Sequence, residues 1–118
     1  MRILIADDND LLRRSVSAFL SAQANWEVCG EAKDGAEAIQ KARELLPDVV
    51  LMDISMPGVS GLEAANVLRR ETPDVKILIM SQHDAAQLLP RVQEAGAHAC
   101  VDKARLYTDL VPAIMSIA

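Results

Sequence analysis

Five residues of this sequence can do chemistry as a set: Asp7, Asp8, Asp53, Ser81 and Lys103. Asp7 and Asp8 are adjacent, and Asp10 follows within the same short segment. Like charges this crowded call for a counter-cation. Clustered carboxylates suit a hard divalent ion with oxygen ligands. Magnesium accepts one or two carboxylates, keeps waters, and leaves room for a phosphate oxygen. A carboxylate is also a nucleophile toward phosphorus, giving an acyl phosphate. Phosphoryl transfer depends mainly on positioning and charge neutralisation. Lys103 and a metal would neutralise the equatorial oxygens of the phosphoryl group, and Ser81 would donate a hydrogen bond to one of them. Taken singly these residues say little. Asp7 or Asp8 can cap a helix and favour its positive end, but a cap needs one acid and not two. Serine after a strand is common, and most lysines are merely solvated. Their weight comes from register.

That register depends on the elements between them. Arg2 to Ala6 is a short aliphatic run and reads as a buried strand. Asn9 or Asp10 can cap a helix carrying Leu12, Val16, Phe19 and Leu20 on one face, ended by Asn25. Trp26 to Ala32 alternates as an edge strand. A second helix opens at Asp34 and Gly35 and stops at Pro47. Val49 to Met52 is apolar throughout, as a strand covered on both faces would be, and it ends on Asp53. Pro57 and Gly58 punctuate the following loop. Leu62, Ala65 and Leu68 mark a third helix, closed before Pro73. Val75 to Met80 is a fourth strand, ending on Ser81. Leu88, Leu89, Val92 and Ala95 mark a fourth helix, with Gly96 as its stop. Ala99 to Val101 and then Leu110, Val111, Ile114 and Ile117 give a fifth strand and helix.

Five strand–helix repeats predict an α/β fold, a parallel sheet with helices on both faces. Ligands of such sheets bind outside the carboxyl ends of the strands, where strand order reverses. Asp7, Asp8, Asp53, Ser81 and Lys103 all lie just past those ends.

The gross numbers narrow the function. At 118 residues the chain has the size of one domain. One Trp, one Tyr and one Phe mean an aliphatic core. A net charge of −5 argues against direct binding of polyanionic nucleic acid. Cys29 and Cys100 form no metal-binding motif and read as buried free thiols. There is no signal peptide and no apolar run of the ~20 residues a membrane span needs, so a cytoplasmic protein without membrane contact is expected. His98 reads as exposed and unassigned.

The chain resembles the receiver domains of bacterial two-component response regulators along its whole length. The matching residues are Asp7-Asp8, the stretch from Val50 through Asp53 to Gly58, then Gly61, Ser81, Gly96-Ala97 and Lys103. Around Ser81-Gln82-His83-Asp84 it is most similar to the NarL/FixJ (LuxR-type) subfamily. The resemblance implies a flavodoxin-like (βα)5 doubly wound parallel sheet of five strands in order 2-1-3-4-5. It implies one receiver domain over residues 1–118 with no output domain in this chain. Asp53 would be the phosphoacceptor, with Ser81 and Lys103 assisting. Mg2+ or Mn2+ would be held by Asp8, Asp53, the backbone carbonyl of Ser55 and, through water, Asp7. The donor would be a sensor histidine kinase or phosphotransfer protein. The output would be transcriptional regulation through a helix-turn-helix DNA-binding domain. A homodimer on phosphorylation would be a further partner. His83 falls where the family tunes phosphoryl lifetime, although an exposed loop histidine with no role fits equally. Such a chain is a switch and not a metabolic enzyme, catalysing only its own phosphorylation and dephosphorylation.

Four residues depart from the family pattern. Cys100 replaces the aromatic ring that usually changes rotamer with the active-site Ser or Thr, so signal transfer should depend more on the fourth helix and its loop. Pro90 should make that helix start late, near Gln87, or kink it. Ala104 follows Lys103 where many receivers carry a cis proline, and a trans bond is expected. Pro112 is tolerable if the last helix starts near Thr108 or Asp109. Two other classes fit less well. A haloacid-dehalogenase phosphatase needs a second Asp two residues after the nucleophile, where Ser55 stands, and room for a cap. A flavodoxin needs a Ser/Thr/Gly-rich phosphate loop after the first strand, where two aspartates would repel the phosphate. A receiver that binds partners without being phosphorylated is disfavoured by the intact acid set.

Overall fold

The computed structural model describes residues 1–118. Its elements are β1 (Arg2–Ala6), α1 (Asp10–Ser21), β2 (Glu27–Ala32), α2 (Gly35–Leu45), β3 (Val49–Asp53), α3 (Gly61–Glu71), β4 (Lys76–Ser81), α4 (Ala85–Glu94), β5 (Ala99–Asp102) and α5 (Leu106–Ile117). The five strands form one parallel sheet in the order β2-β1-β3-β4-β5. This is the predicted flavodoxin-like arrangement. Strand order reverses at β1, whose neighbours are β2 and β3, and the reversal opens a crevice at the carboxyl ends.

The period of two divides each central strand between two cores. Leu4, Val50, Met52, Ile77 and Ile79 face α2, α3 and α4, where Ala38, Ala42, Ala64, Ala65, Leu68 and Val92 cover them. Ile3, Ile5, Val49, Leu51, Leu78 and Met80 face α1 and α5, covered by Val16, Leu20, Leu106, Leu110 and Ile114. Both faces are dry, so these strands are apolar without alternation. The edge strand β2 is only partly covered until Ala32.

Two caps start helices close to the crevice. Asn9 Oδ1 accepts the Leu12 N–H and launches α1 directly after Asp8. Ser60 and Glu63 cap each other reciprocally at the start of α3. The first residue of α3 is Gly61, because a Cβ there would overlap the Asp53 carbonyl oxygen. Its N–H donates to the Ile54 carbonyl at 3.0 Å.

Several expectations change. His98 is half-buried and not free: its Nδ1 accepts the Ile77 N–H at 3.1 Å, and its own N–H donates to Ile77 O at 2.8 Å. Burial pushes its pKa down, with Lys76 and Arg69 adding to the effect against a smaller backbone contribution from Ile77. The two thiols are half-buried and free, with Cys29 Sγ donating to Ile3 O. Cys100 packs against the α4-side core. The chain has no cis peptide bond, so Ala104 is trans as expected. A 3₁₀ turn at Lys103–Arg105 lets α5 begin at Leu106, and Pro112 therefore falls in the second turn. Helix α4 starts at Ala85, capped by Asp84, and not near Gln87.

Pro90 thus sits inside α4 and denies the Ala86 carbonyl its helical donor. Only Val92 of α4 is buried, whereas α3 buries Gly61, Ala64, Ala65 and Leu68. Local stability follows such packing. The amides of α4 should exchange faster than those of α3. Pro90→Ala should slow α4 exchange and stabilise the helix by up to ~3 kcal/mol. Hydrogen-exchange mass spectrometry checks both; equal protection of the two native helices would contradict the reading.

Candidate functional site

Adjacent strands β1 and β3 bring their last residues together at the crevice. Asp7 follows β1 and is fully buried; Asp53 ends β3 and is 6% exposed. Asp8 is exposed at the rim. One oxygen of each of the three carboxylates lies within 4.8 Å of the others. They line a cavity of about 340 Å³ shared with Ser55, Lys103, Asn9, Leu12 and His83. Asp10 is close in sequence, but its carboxylate turns to Arg13 and stays out of the cluster.

Lys103 reaches in from the end of β5. Its Nζ lies 2.9 Å from Asp7 Oδ2 and 3.2 Å from Asp53 Oδ1. Burial alone would depress the ammonium pKa; the two carboxylates outweigh it and the net shift is upward. Burial is the chief cause pushing the Asp53 pKa up, and the Asp7 charge adds to it. Lys103 and the Ser55 N–H, 3.4 Å from Oδ1, pull it down without cancelling the rise. Asp53 is therefore a carboxylate whose charge is under-compensated in the folded protein.

Asp7 is fixed through its N–H, its carbonyl and one carboxylate oxygen. Its N–H donates to Ala32 O at 3.0 Å, and its Oδ1 accepts the Asn9 N–H at 2.8 Å. The carbonyl accepts from Arg13 Nη1 at 2.8 Å. Its buried Oδ2 has one partner, the Lys103 ammonium at 2.9 Å, which is shared with Asp53. One ammonium divided between two buried carboxylates leaves both short of positive charge. Three acids against one ammonium also leave a deficit of about two positive charges. Both observations fit a divalent cation with oxygen ligands.

Ser81 is placed differently from the other predicted residues. It is fully buried at the end of β4, and its Oγ accepts the His83 N–H at 2.9 Å. The cavity lining passes from Asp53 to Gln82 and His83 without including it. Asp7, Asp8, Asp53, Ser55 and Lys103 thus share one cavity, while Ser81 lies beside it. His83 is an exposed loop residue, as one of the two readings had it, and it also lines the cavity. The sequence reading missed Arg13, whose contacts cross from α1 to β2 and carry no local motif.

The comparisons agree with this geometry. A family model for the response regulator receiver domain matches residues 3–115. Over 114 residues, 97% of the chain, the sequence is 40% identical to the response regulator GacA of Pseudomonas viridiflava, covering 53% of that protein. It is also 40% identical, over 114 residues, to the transcriptional regulatory protein LiaR of Bacillus subtilis, covering 97% of this chain and 54% of that one. The solved signal receiver domain of the putative response regulator NarL from Mycobacterium tuberculosis superposes with a TM-score of 0.90. It is 33% identical and covers 98% of this chain and 93% of that one. The chain spans about half the length of the curated relatives it matches. No helix is long and apolar enough to cross a membrane. Fold, convergent acids and sequence together make this chain a member of the response regulator receiver domain family, on its NarL/FixJ side.

Proposed function

We propose that the chain is a phosphorylation-dependent switch that accepts a phosphoryl group on Asp53. The observation that carries this reading is the arrangement of Asp53, 3.2 Å from Lys103 and clustered with Asp7 and Asp8, at the reversal of strand order. An Asp53 oxygen attacks phosphorus. The P–O bond forms as the P–N bond of a phosphohistidine breaks, and the imidazole leaves with the electron pair and takes up a proton. Lys103, held charged by its two carboxylates, stabilises negative charge on the transferring group. Mg2+ or Mn2+ would be held by Asp8, Asp53 and the Ser55 carbonyl, with Asp7 acting through water. When bound, the ion supplies Lewis-acid neutralisation of phosphoryl oxygens.

Ser81 enters after transfer. Its hydroxyl must leave the His83 N–H to reach a phosphoryl oxygen, and the β4–α4 loop is tied to that hydroxyl. Phosphorylation thereby becomes a change in the surface of α4, β5 and α5. Because Cys100 supplies no aromatic ring at β5, α4 carries more of the relay. The donor is a sensor histidine kinase or phosphotransfer protein. The output is a DNA-binding domain controlling transcription, a reading supported by the name of one matched relative, a transcriptional regulatory protein, and a second copy of the chain is a further partner. The receiver itself makes no direct nucleic-acid contact, in keeping with a net charge of −5, and it works in the cytoplasm. Residues 1–118 constitute the receiver unit. Its catalysis is confined to its own phosphorylation and dephosphorylation.

Treatment with a small acyl phosphate and Mg2+ should add one phosphoryl mass to the native protein and none to Asp53→Asn. Intact-mass spectrometry checks this; an unchanged native mass would refute the acceptor role. The same variant tests the electrostatics. Asp53 has a raised folded pKa, so its ionised form costs stability at neutral pH. In metal-free buffer, Asp53→Asn should unfold at a higher temperature than the native protein at pH 7. The difference should close as pH falls through the raised pKa toward the ordinary value of 3.8. Thermal melts across that range read the sign.

A further inference from the structure

We infer that Arg13 is a positioning residue for the metal site, fixing which acids face the cation; this rests on the metal reading of Asp7, Asp8 and Asp53. Arg13 projects from the first turns of α1, and its side chain is only 12% exposed. Each of its donors has a different acceptor. Nη1 donates to the Asp7 carbonyl at 2.8 Å, Nη2 to Asp10 Oδ1 at 2.8 Å, and Nε to Glu31 Oε1 at 3.0 Å. Glu31 lies on β2, so the guanidinium ties the β1–α1 loop to the neighbouring strand.

The Asp7 carbonyl belongs to the peptide that joins the two candidate ligand residues. With Asp7 N–H on Ala32 O and the carbonyl on Arg13, the peptides on both sides of Asp7 are fixed. Asp7 Oδ1 is occupied by the Asn9 N–H, which leaves the buried Oδ2 as the oxygen facing Lys103 and the cavity. Asp8 follows from the same fixed peptide. The second consequence concerns Asp10. It has a carboxylate three residues from Asp7 and would be a competing ligand. The Arg13 contact draws that carboxylate outward, where it is 68% exposed, and the convergent set holds Asp7, Asp8 and Asp53 alone. Arginine suits the task because its planar fork serves three acceptors at fixed angles; a lysine ammonium is a point charge on a flexible stem.

Groups behind a ligand typically change metal affinity about 10–100-fold when replaced. Mn2+ titration of the metal-free protein, read by water-proton relaxation, tests the role. Arg13→Lys should bind Mn2+ at least about tenfold more weakly. At saturating Mn2+ its phosphorylation rate from a small acyl phosphate should return to the native value, because Arg13 touches no reacting atom. A residue serving stability alone would lower the melting temperature and leave Mn2+ affinity as it was. Glu31→Gln, which removes one anchor at a partly exposed position, should weaken Mn2+ binding in the same direction by less. It decides the question if Arg13→Lys does not fold. Native affinity in a folded Arg13→Lys, or in Glu31→Gln if that variant alone folds, would overturn the role of Arg13. A native protein that binds no Mn2+ would overturn the metal reading and this role with it.

Discussion

The contact of Lys103 with Asp7 and Asp53 is the interaction around which the site is organised. It joins the ends of three strands through one half-buried ammonium, 2.9 Å and 3.2 Å from its two partners. Without it, two carboxylates with little or no solvent exposure would face each other across the β1–β3 junction, and folding would have to neutralise them by protonation. The balance is incomplete. Asp7 and Asp53 share a single ammonium, and the Asp53 pKa stays raised despite the lysine. A protein that keeps such a deficit holds a site ready for further positive charge. In this sense the same electrostatics limit stability and enable function.

The scaffold meets this constraint through backbone and packing. The parallel sheet is covered on both faces, so the central strands offer water access only at their ends. Gly61 lets α3 approach the Asp53 carbonyl, which fixes that residue from behind. Asn9 begins α1 immediately after the acid pair, and Arg13, one turn later, reaches back to the Asp7 carbonyl. Each device restrains main chain, so the carboxylates are aimed without occupying their own oxygens in excess.

The α4 side is built more loosely. Helix α4 buries a single residue and contains Pro90, and the Ser81 hydroxyl has one hydrogen bond, from the His83 N–H. A switch needs an element whose two arrangements differ by only a few kcal/mol. Weak burial and a missing helical bond place α4 at that end of the stability range. The rigid site and the soft helix meet at the β4–α4 loop.

Element order was legible in the residues alone, because apolar runs bounded by polar strand ends alternate with helical periods from Arg2 to Ile117. The same was true of which acids and which lysine would converge, since strand ends fix their register. Features that depend on the third dimension were not legible. Helix α4 runs through Pro90 because the Asp84 cap and Val92 packing outweigh one lost bond. His98 pairs with Ile77 because β5 begins beside β4, a proximity that no local pattern encodes. The role of Arg13 arises from three partners separated by up to eighteen positions in the chain. Local periodicity settles where strands end; packing in three dimensions decides which charges are buried there with too little opposite charge, and that imbalance is the site.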